Sequence, residues 1–263
     1  MLKVSAQTNI GKTRSVNQDS VFVSTDPWGL LPNLFIVADG MGGHNGGEIA
    51  SKTAISQFCG HIKIQSDQTG QAGVEEILDL LTSAALAANA GVLSMADASP
   101  ELTGMGTTLT ACTIDEGGKC NIIHIGDSRA YVIASSELSS KKITQVTHDH
   151  SFVNEMVKAG QITQNEAREH PKRNVLTKVL GINPEMSADG YVIDTEPGSI
   201  ILLCSDGLYN MVPEDEILSI VNENEEPAIT LIETANDRGG TDNISVVIIE
   251  IVQRSHVNKE VIP

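Results

Sequence analysis

The sequence has few aromatic residues and few basic ones. Tryptophan, tyrosine and phenylalanine make up 3% of its 263 residues, so a core must rely on aliphatic side chains. Seventeen Lys and Arg residues oppose 34 Asp and Glu residues, which gives a formal net charge of −17. A field of that sign repels phosphate backbones and anionic lipid, so we expect no nucleic-acid or membrane partner. The plainer explanation, that acidity keeps the protein soluble, remains open.

Signals for export and for membrane insertion are also lacking. The four cysteines form no Cys-x-x-Cys pair and lie in apolar stretches, as is typical of reduced, buried thiols. The N-terminus has no apolar segment of the signal-peptide kind, and no uninterrupted apolar run approaches the length of a membrane span. We therefore expect a cytoplasmic protein, and we expect it to be a monomer.

The hydrophobic pattern predicts one domain, because no linker, repeat or low-complexity tract divides the chain. Short β-branched runs alternate with blocks of helical periodicity. Strands are predicted at 2–8, 20–25, 34–39, 107–114, 119–125, 130–133, 199–204 and 243–252, and helices at 48–58, 74–95, 152–159, 164–169, 214–221 and 227–236.

The connections between these segments favour an α+β fold with antiparallel sheets under helical cover. Gly117 and Gly118 leave too short a link between two strands for a parallel crossover, so those strands form a hairpin. A doubly wound parallel fold is the alternative, and the hairpins argue against it.

Several catalytic motifs are missing. The glycine-rich stretch at 40–45 fails the dinucleotide fingerprint at its last glycine, and no P-loop is present. The chain has no Gly-x-Ser-x-Gly elbow, no His-Glu-x-x-His helix and no cysteine followed six positions later by arginine. Asp-x-Asp pairs are absent too, which disfavours an aspartyl-phosphate mechanism of that type.

Aspartates lie where predicted strands end. Asp39 and Asp206 each follow an apolar run and precede a glycine, Asp127 follows a third such run, and Asp242 precedes the last strand. Carboxylates are the ligands that hard divalent cations prefer, and a neighbouring glycine lets the backbone approach closely. An Asp-Gly pair can also be only a turn, but this explanation weakens when four aspartates all lie at strand ends.

A further segment, residues 14–19, adds a cation and a fifth carboxylate just before a strand. The fork of Arg14 can hold two phosphate oxygens, whereas a lysine offers only a point charge. Taken alone, Arg14 would be an ordinary solvated loop residue. Asp19 stands at the end of this segment.

These segments together resemble the protein phosphatase 2C family of metal-dependent serine/threonine phosphatases, in that family's order and over nearly the whole chain. The Asp-Gly-Met-Gly-Gly-His form and the short length resemble its bacterial single-domain branch. The matching segments are Arg-Ser-Val-Asn-Gln-Asp at 14–19, Val-Ala-Asp-Gly-Met-Gly-Gly-His at 37–44, Gly-Met-Gly-Thr-Thr at 104–108, Ile-Gly-Asp-Ser-Arg at 125–129, Leu-Cys-Ser-Asp-Gly-Leu at 203–208 and Gly-Thr-Asp-Asn-Ile-Ser-Val at 240–246.

The resemblance implies a β-sandwich of two antiparallel sheets flanked by helices, with two Mn²⁺ or Mg²⁺ ions at one edge. Carried over by position, Asp39 bridges both ions and the Gly40 carbonyl binds one of them. Asp206 and Asp242 complete the protein ligands of the other ion, and Asp19 holds metal-bound water.

It also implies that Arg14 binds phosphate and that Asp127, with Asp206, holds a weak third ion. The sequence departs from the family pattern at Gln18, where many relatives have glutamate. It departs again at Met41, where eukaryotic members have the histidine that is the presumed proton donor. His44 lies three residues further on and is the candidate for that catalytic role here.

The implied activity is hydrolysis of phosphoserine and phosphothreonine in proteins by a metal-bridging hydroxide, with a bacterial Ser/Thr kinase and its substrates as partners in signalling. The implied organisation is a catalytic domain at 1–254, with a flap subdomain near 165–181, and a tail at 255–263. Two other functions are considered. A pseudophosphatase scaffold would be expected to have lost a metal aspartate, and none is lost here. A structural Ca²⁺-binding protein would bind Ca²⁺ without phosphatase activity.

Overall fold

A computed structural model describes residues 1–43, 46–69, 74–135 and 141–252. Two antiparallel sheets account for the strands in these residues. The first sheet has the order β1 (Leu2–Asn9), β11 (Ile244–Ile251), β10 (Ile200–Cys204), β7 (Arg129–Ser135) and β8 (Lys141–Gln145). The second has the order β2 (Asp19–Ser24), β3 (Leu34–Met41), β5 (Leu109–Ile114), β6 (Lys119–Ile125) and β9 (Asp189–Asp194), with β4 (Gly106–Thr107) beside β3.

The two sheets pack face to face and bury an aliphatic layer between them. Phe35 and Val37 of β3 meet Ile201 and Leu203 of β10 in this layer, and all four are fully buried. The alternate residues of the same strands point outward, yet they are buried too, because helices cover both outer faces. Strands buried on two sides need apolar residues at every position, and this explains the continuous apolar runs that precede the aspartates.

Helices form the outer layers. Helices α1 (Gly46–Thr69) and α2 (Val74–Ala98) cover the second sheet, followed by a 3₁₀ turn at Pro100–Leu102. Helices α5 (Asp206–Tyr209), α6 (Glu214–Glu223) and α7 (Pro227–Asp237) lie on the first sheet. The short helices α3 (Phe152–Lys158) and α4 (Gln164–Glu169) stand between β8 and β9. The predicted α+β sandwich is confirmed, and the parallel alternative is wrong because every strand pair in the described ranges is antiparallel.

One predicted helix boundary differs from the structure, and two strands of the structure were not predicted. Helix α1 runs well past Phe58, because Ile62 continues its buried face beyond Gly60. The strands β8 and β9 were not predicted, since both are edge strands whose exposed positions alternate with half-buried ones and carry polar residues. The four cysteines are buried free thiols, as expected.

Within the residues that the structure describes, one helix meets the length and composition of a membrane span. The Ile77–Ala98 part of α2 is apolar enough for such a span. Its apolar stripe, which includes Leu81, Ala85 and Val92, is fully buried in the core cluster that α2 shares with α1 and the second sheet. In this structure the stripe therefore has partners within the protein.

Candidate metal centre

Five aspartates approach one another at one edge of the sandwich. Asp19 begins β2 and lies directly opposite Asp39 of β3 in the antiparallel ladder. Asp206 follows β10 and begins α5, while Asp242 precedes β11, the neighbour of β10. Asp127 lies in the three-residue link that crosses from β6 of the second sheet to β7 of the first. The ends of both sheets thus supply carboxylates to a single region.

Burial and mutual repulsion dominate the electrostatics of this region. Burial raises the pKa of Asp19 to about 6, and burial with repulsion from Asp149 raises the pKa of Asp127 to about 7. The pKa values of Asp39 and Asp206 lie well above the usual range, first because of burial and then because of the other carboxylates. Like charges held together out of water need compensation by protons or by cations.

The donor set fits a hard divalent cation. The Oδ2 atom of Asp19 accepts a hydrogen bond from Ser205 Oγ at 2.7 Å, while its buried Oδ1 atom has no hydrogen-bond partner in the described residues. An orphaned carboxylate oxygen beside other carboxylates is the chemistry that Mg²⁺ and Mn²⁺ prefer. Within the described ranges no three acidic, histidine or cysteine side chains form a finished cage, so backbone oxygens and water must complete any ion's ligand shell.

Glycines let the loops of this edge touch backbone to backbone. A Cβ on Gly40 would lie 2.0 Å from the carbonyl oxygen of Gly47, and a Cβ on Gly207 would lie 2.0 Å from that of Asn243. No side chain larger than hydrogen fits at either position. The glycines beside Asp39 and Asp206 are therefore steric requirements of the site as well as turn residues.

Asn243 fixes the loop that carries Arg14. Its Oδ1 accepts from the Gln18 amide at 2.8 Å, and its Nδ2 donates to the carbonyls of Ile10 and Val16 at 2.9 and 3.0 Å. One buried amide thus ties both ends of the loop between β1 and β2 to the start of β11. Arg14 lies beside the carboxylates as a result, with its Nη2 atom 2.8 Å from Asp242 Oδ2.

The turn that carries Asp127 is held by its neighbours. Tyr209 donates a hydrogen bond to the Asp127 carbonyl at 3.1 Å, and the guanidinium of Arg129 lies over the Tyr209 ring at 3.6 Å. Thr108 and Ser128 share a buried hydroxyl contact of 2.7 Å, and Thr108 Oγ1 also accepts from the Asp39 amide at 2.9 Å. Thr108 thereby connects the backbone of Asp39 to the turn that carries Asp127.

The structure brings most of the site residues predicted from the sequence to one place. Seven of them come together at this edge: Asp19, Asp39, Gly40, Asp127, Asp206, Asp242 and Arg14. His44 lies outside the described residues. Met41 is partly exposed at the end of β3, and Gln18 donates to the Gly42 carbonyl at 3.4 Å.

Sequence reasoning missed the supporting residues Asn243, Ser205 and Tyr209. Two of them stand directly beside a predicted metal aspartate, which is the signal that could have found them. Tyr209 carries no such signal, because its contact with Asp127 joins residues 82 positions apart.

A cavity of about 920 Å³ opens beside the carboxylates. Asp127, Asp206 and Asp242 form part of its wall. Arg168 and Arg173 contribute from one side, and Glu214 and Asp215 of α6 contribute from another. The cavity is large enough for an extended peptide, and Arg168 and Arg173 are cations of its wall that could contact an anionic group on it.

Comparisons with known proteins agree with this geometry. A sequence profile described as "Protein phosphatase 2C" matches residues 8–236. The serine/threonine phosphatase stp of Listeria monocytogenes is 35% identical over 249 residues, which cover 93% of this chain and 94% of that protein. The crystal structure of the Mycobacterium tuberculosis serine/threonine phosphatase PstP/Ppp superposes with a TM-score of 0.83 at 34% identity, covering 96% of this chain and 99% of that one.

A structure of the catalytic domain of the serine/threonine protein phosphatase PstP in complex with two manganese ions is also similar. It has a TM-score of 0.80 at 33% identity and covers 96% of this chain and 99% of that one.

Proposed function

Because the chain belongs to the protein phosphatase 2C family, we propose that its carboxylate edge binds Mn²⁺ or Mg²⁺ and that phosphoserine and phosphothreonine are hydrolysed there. The activity itself follows from the comparisons: the chain is a metal-dependent serine/threonine protein phosphatase. The observation that carries the proposed site is the convergence of carboxylates from both sheets beside Arg14, with Asp19 buried and the other four half-buried.

Asp39, Asp206 and Asp242, with the Gly40 carbonyl, are the residues that would hold two core ions, and Asp19 would hold their water. Such ions supply an activated water as the nucleophile and neutralise phosphate charge. A weaker third ion would lie between Asp127 and Asp206. The chain offers no cysteine or serine nucleophile motif, so attack by water needs no covalent step.

Arg14 would bind the phosphate oxygens. Its guanidinium is always charged and can take two oxygens at once. Its present partner is Asp242, and the Arg14 side chain is half-exposed, so the guanidinium is accessible to an anionic substrate. The contact with Asp242 orients the guanidinium before substrate arrives.

We also infer the setting of the reaction. The substrates are phosphorylated proteins, and we propose that they include a bacterial Ser/Thr kinase and the proteins which that kinase modifies. A monomeric, cytoplasmic enzyme with one catalytic domain at 1–254 and a flap near 165–181 fits the free cysteines and the cavity wall. The proposed tail at 255–263 lies outside the described residues.

The proposal is tested with phosphothreonine, phosphoserine and phosphotyrosine peptides and with p-nitrophenyl phosphate. We expect Mn²⁺- or Mg²⁺-dependent release of phosphate from the threonine and serine peptides, slower release from the tyrosine peptide, and no release in EDTA. Full activity after rigorous chelation would reject the proposed site. Binding of Ca²⁺ alone without hydrolysis would favour a structural metal-binding role, and binding of phosphopeptide without turnover would favour a scaffold.

A further inference from the structure

A second cluster of titratable side chains lies behind the centre. His150, in the segment between β8 and α3, is buried and stacks on His124 with ring centroids 4.9 Å apart. Its Nε2 atom lies 3.1 Å from Asp189 Oδ2, without hydrogen-bond alignment, and Lys178 donates to Asp189 at 2.9 Å. The proposed function assigns no role to this cluster.

His150 contacts the turn that carries Asp127 at two points. The amide of Gly126 donates to His150 Nδ1 at 3.0 Å, and the amide of His150 donates to the Gly126 carbonyl at 2.8 Å. One residue thus satisfies both polar backbone groups of Gly126. Asp127 is the next residue in the chain.

Gly126 is a position where the backbone needs an external restraint. Its φ of +104° lies in a region that L side chains rarely adopt, and a Cβ there would lie 2.5 Å from Thr108 Cγ2. Glycine is required, but glycine also has the greatest conformational freedom. Without a clamp, the peptide preceding Asp127 could rotate and aim its carboxylate elsewhere.

The hydrogen bond defines one imidazole tautomer. An amide N–H can donate to Nδ1 only when that nitrogen carries no proton, so neutral His150 carries its proton on Nε2. The Asp189 carboxylate near Nε2 favours that proton position. The Gly126 amide and the Asp189 carboxylate therefore favour the same tautomer of neutral His150.

The same residue reaches the segment that ends the proposed flap. The Thr177 amide donates to the His150 carbonyl at 2.8 Å, and the Phe152 amide donates to the Val175 carbonyl at 2.8 Å. The backbone from His150 to Phe152 therefore pairs with the chain that leads from α4 to β9. His150 connects this chain to the Asp127 turn.

We propose that His150 is a positioning residue for phosphate-ester hydrolysis, which through its Nδ1 acceptor fixes the Gly126 peptide and so the direction in which Asp127 enters the metal centre. This inference rests on the proposed function. His150 does not touch substrate or metal, and it acts through the turn alone.

Two substitutions separate the acceptor from the bulk of the ring. His150→Asn places an oxygen near the Nδ1 position and keeps an acceptor for Gly126, but it loses the approach to Asp189. His150→Gln reaches toward Asp189 and fills more of the ring's volume, but it offers no acceptor at the Nδ1 position. A packing role predicts that the larger glutamine is tolerated better.

The positioning role predicts the reverse. At saturating Mn²⁺ we expect His150→Asn to retain turnover within about threefold of wild type, and His150→Gln to lose about tenfold or more. Calorimetric titration with Mn²⁺ is expected to lose its weakest binding event in His150→Gln and to retain it in His150→Asn. Equal turnover and equal isotherms for the two variants would overturn the inference. A loss of turnover confined to His150→Asn would overturn it too.

A spectroscopic measurement on metal-free wild-type protein tests the Nδ1 acceptor even if both variants unfold. The ¹⁵N resonances of His150 are expected to show an unprotonated Nδ1 and a protonated Nε2. The opposite tautomer would overturn the inference. Wild-type protein without Mn²⁺-dependent hydrolysis would instead reject the proposed function, so the two failures are distinguishable.

Discussion

The guanidinium of Arg14 lies 2.8 Å from the carboxylate of Asp242, a contact that joins the loop after β1 to the loop before β11. The two residues are 228 positions apart in sequence. Arg14 is half-exposed, so the pair contributes little to stability by itself. The contact matters for position, because it holds the Arg14 guanidinium, which is always charged, next to the carboxylates.

Arg14→Ala should therefore act mainly on substrate binding. We expect KM for a phosphothreonine peptide to rise about tenfold or more, ~1.4 kcal/mol, with a smaller change in kcat, because the fork binds phosphate in both ground and transition states. Lys12→Ala is the matched control, since Lys12 is a cation of the same loop that pairs with Asp237. An unchanged KM in Arg14→Ala, or an equal rise in the Lys12 variant, would contradict the assignment.

Gly40→Ala tests the backbone packing beneath the centre. The new Cβ would lie 2.0 Å from the Gly47 carbonyl oxygen and 2.6 Å from that of Gln18. We expect the free energy of unfolding to fall by about 3 kcal/mol or more, because backbone atoms must move to make room. Gly43→Ala should change it by about 0.5 kcal/mol or less, since nothing lies within 4 Å of its Cβ position. Equal denaturation midpoints for the two variants would contradict the structure.

Much of the fold could be predicted from sequence, because local patterns carry it. Continuous apolar runs such as the one before Asp39 indicate strands covered on both sides, and the Gly117–Gly118 turn indicates a hairpin. The edge strands β8 and β9 could not be predicted, since half of each faces solvent and their polar residues dilute the pattern.

The candidate site, too, could be predicted only in part from the sequence. The aspartates at strand ends were visible because each one borders a predicted strand. The contacts of the supporting residues were not visible: Asn243 ties a loop more than 220 positions away, and Ser205 donates to Asp19 across 186 positions. The place of Asn243 and Ser205 beside a predicted metal aspartate marks them as candidates, but their partners depend on how the two sheets pack, which no local spacing reports.

Asp127→Asn separates a metal role from a structural one. The contacts that hold the turn reach the Gly126 backbone and the Asp127 carbonyl, which asparagine leaves in place. We expect a near-native melting temperature in Mn²⁺, retention of two bound ions and loss of turnover on phosphopeptides. A destabilised variant with normal turnover per folded molecule would show that Asp127 is only a turn residue.

In the metal-free protein, burial of these carboxylates should make the free energy of unfolding depend on pH. Burial raises the pKa of Asp127 to about 7 from an ordinary value of 3.8, so the folded state binds its proton more tightly than the unfolded state does. The stability that Asp127 contributes is present below about pH 4 and is lost as pH rises through about 7.

In EDTA, Asp127→Asn should therefore be more stable than wild type at about pH 8, and the difference should shrink toward about pH 5. The pKa of buried His124 is lowered to about 3, so His124 makes the folded state less stable as pH falls below the ordinary histidine pKa. Both proteins contain His124, and its contribution cancels in the difference between them. Melting temperatures across this range check the trend. A difference that does not change with pH would contradict the raised pKa of Asp127.

The most direct test of the carboxylate edge as the metal centre is a Mn²⁺ titration in which binding and turnover are measured on the same samples of wild type and Asp39→Asn. Asp39 is the carboxylate that both core ions would share. We expect wild type to bind at least two ions and to gain activity as they bind, whereas Asp39→Asn binds fewer and loses turnover by about 100-fold, ~2.7 kcal/mol.

Asp194→Asn is the control for this titration, because Asp194 is an exposed aspartate at the far end of β9 and should behave as wild type does. Wild-type binding and turnover in Asp39→Asn would contradict the account, and so would hydrolysis by protein that has bound no metal.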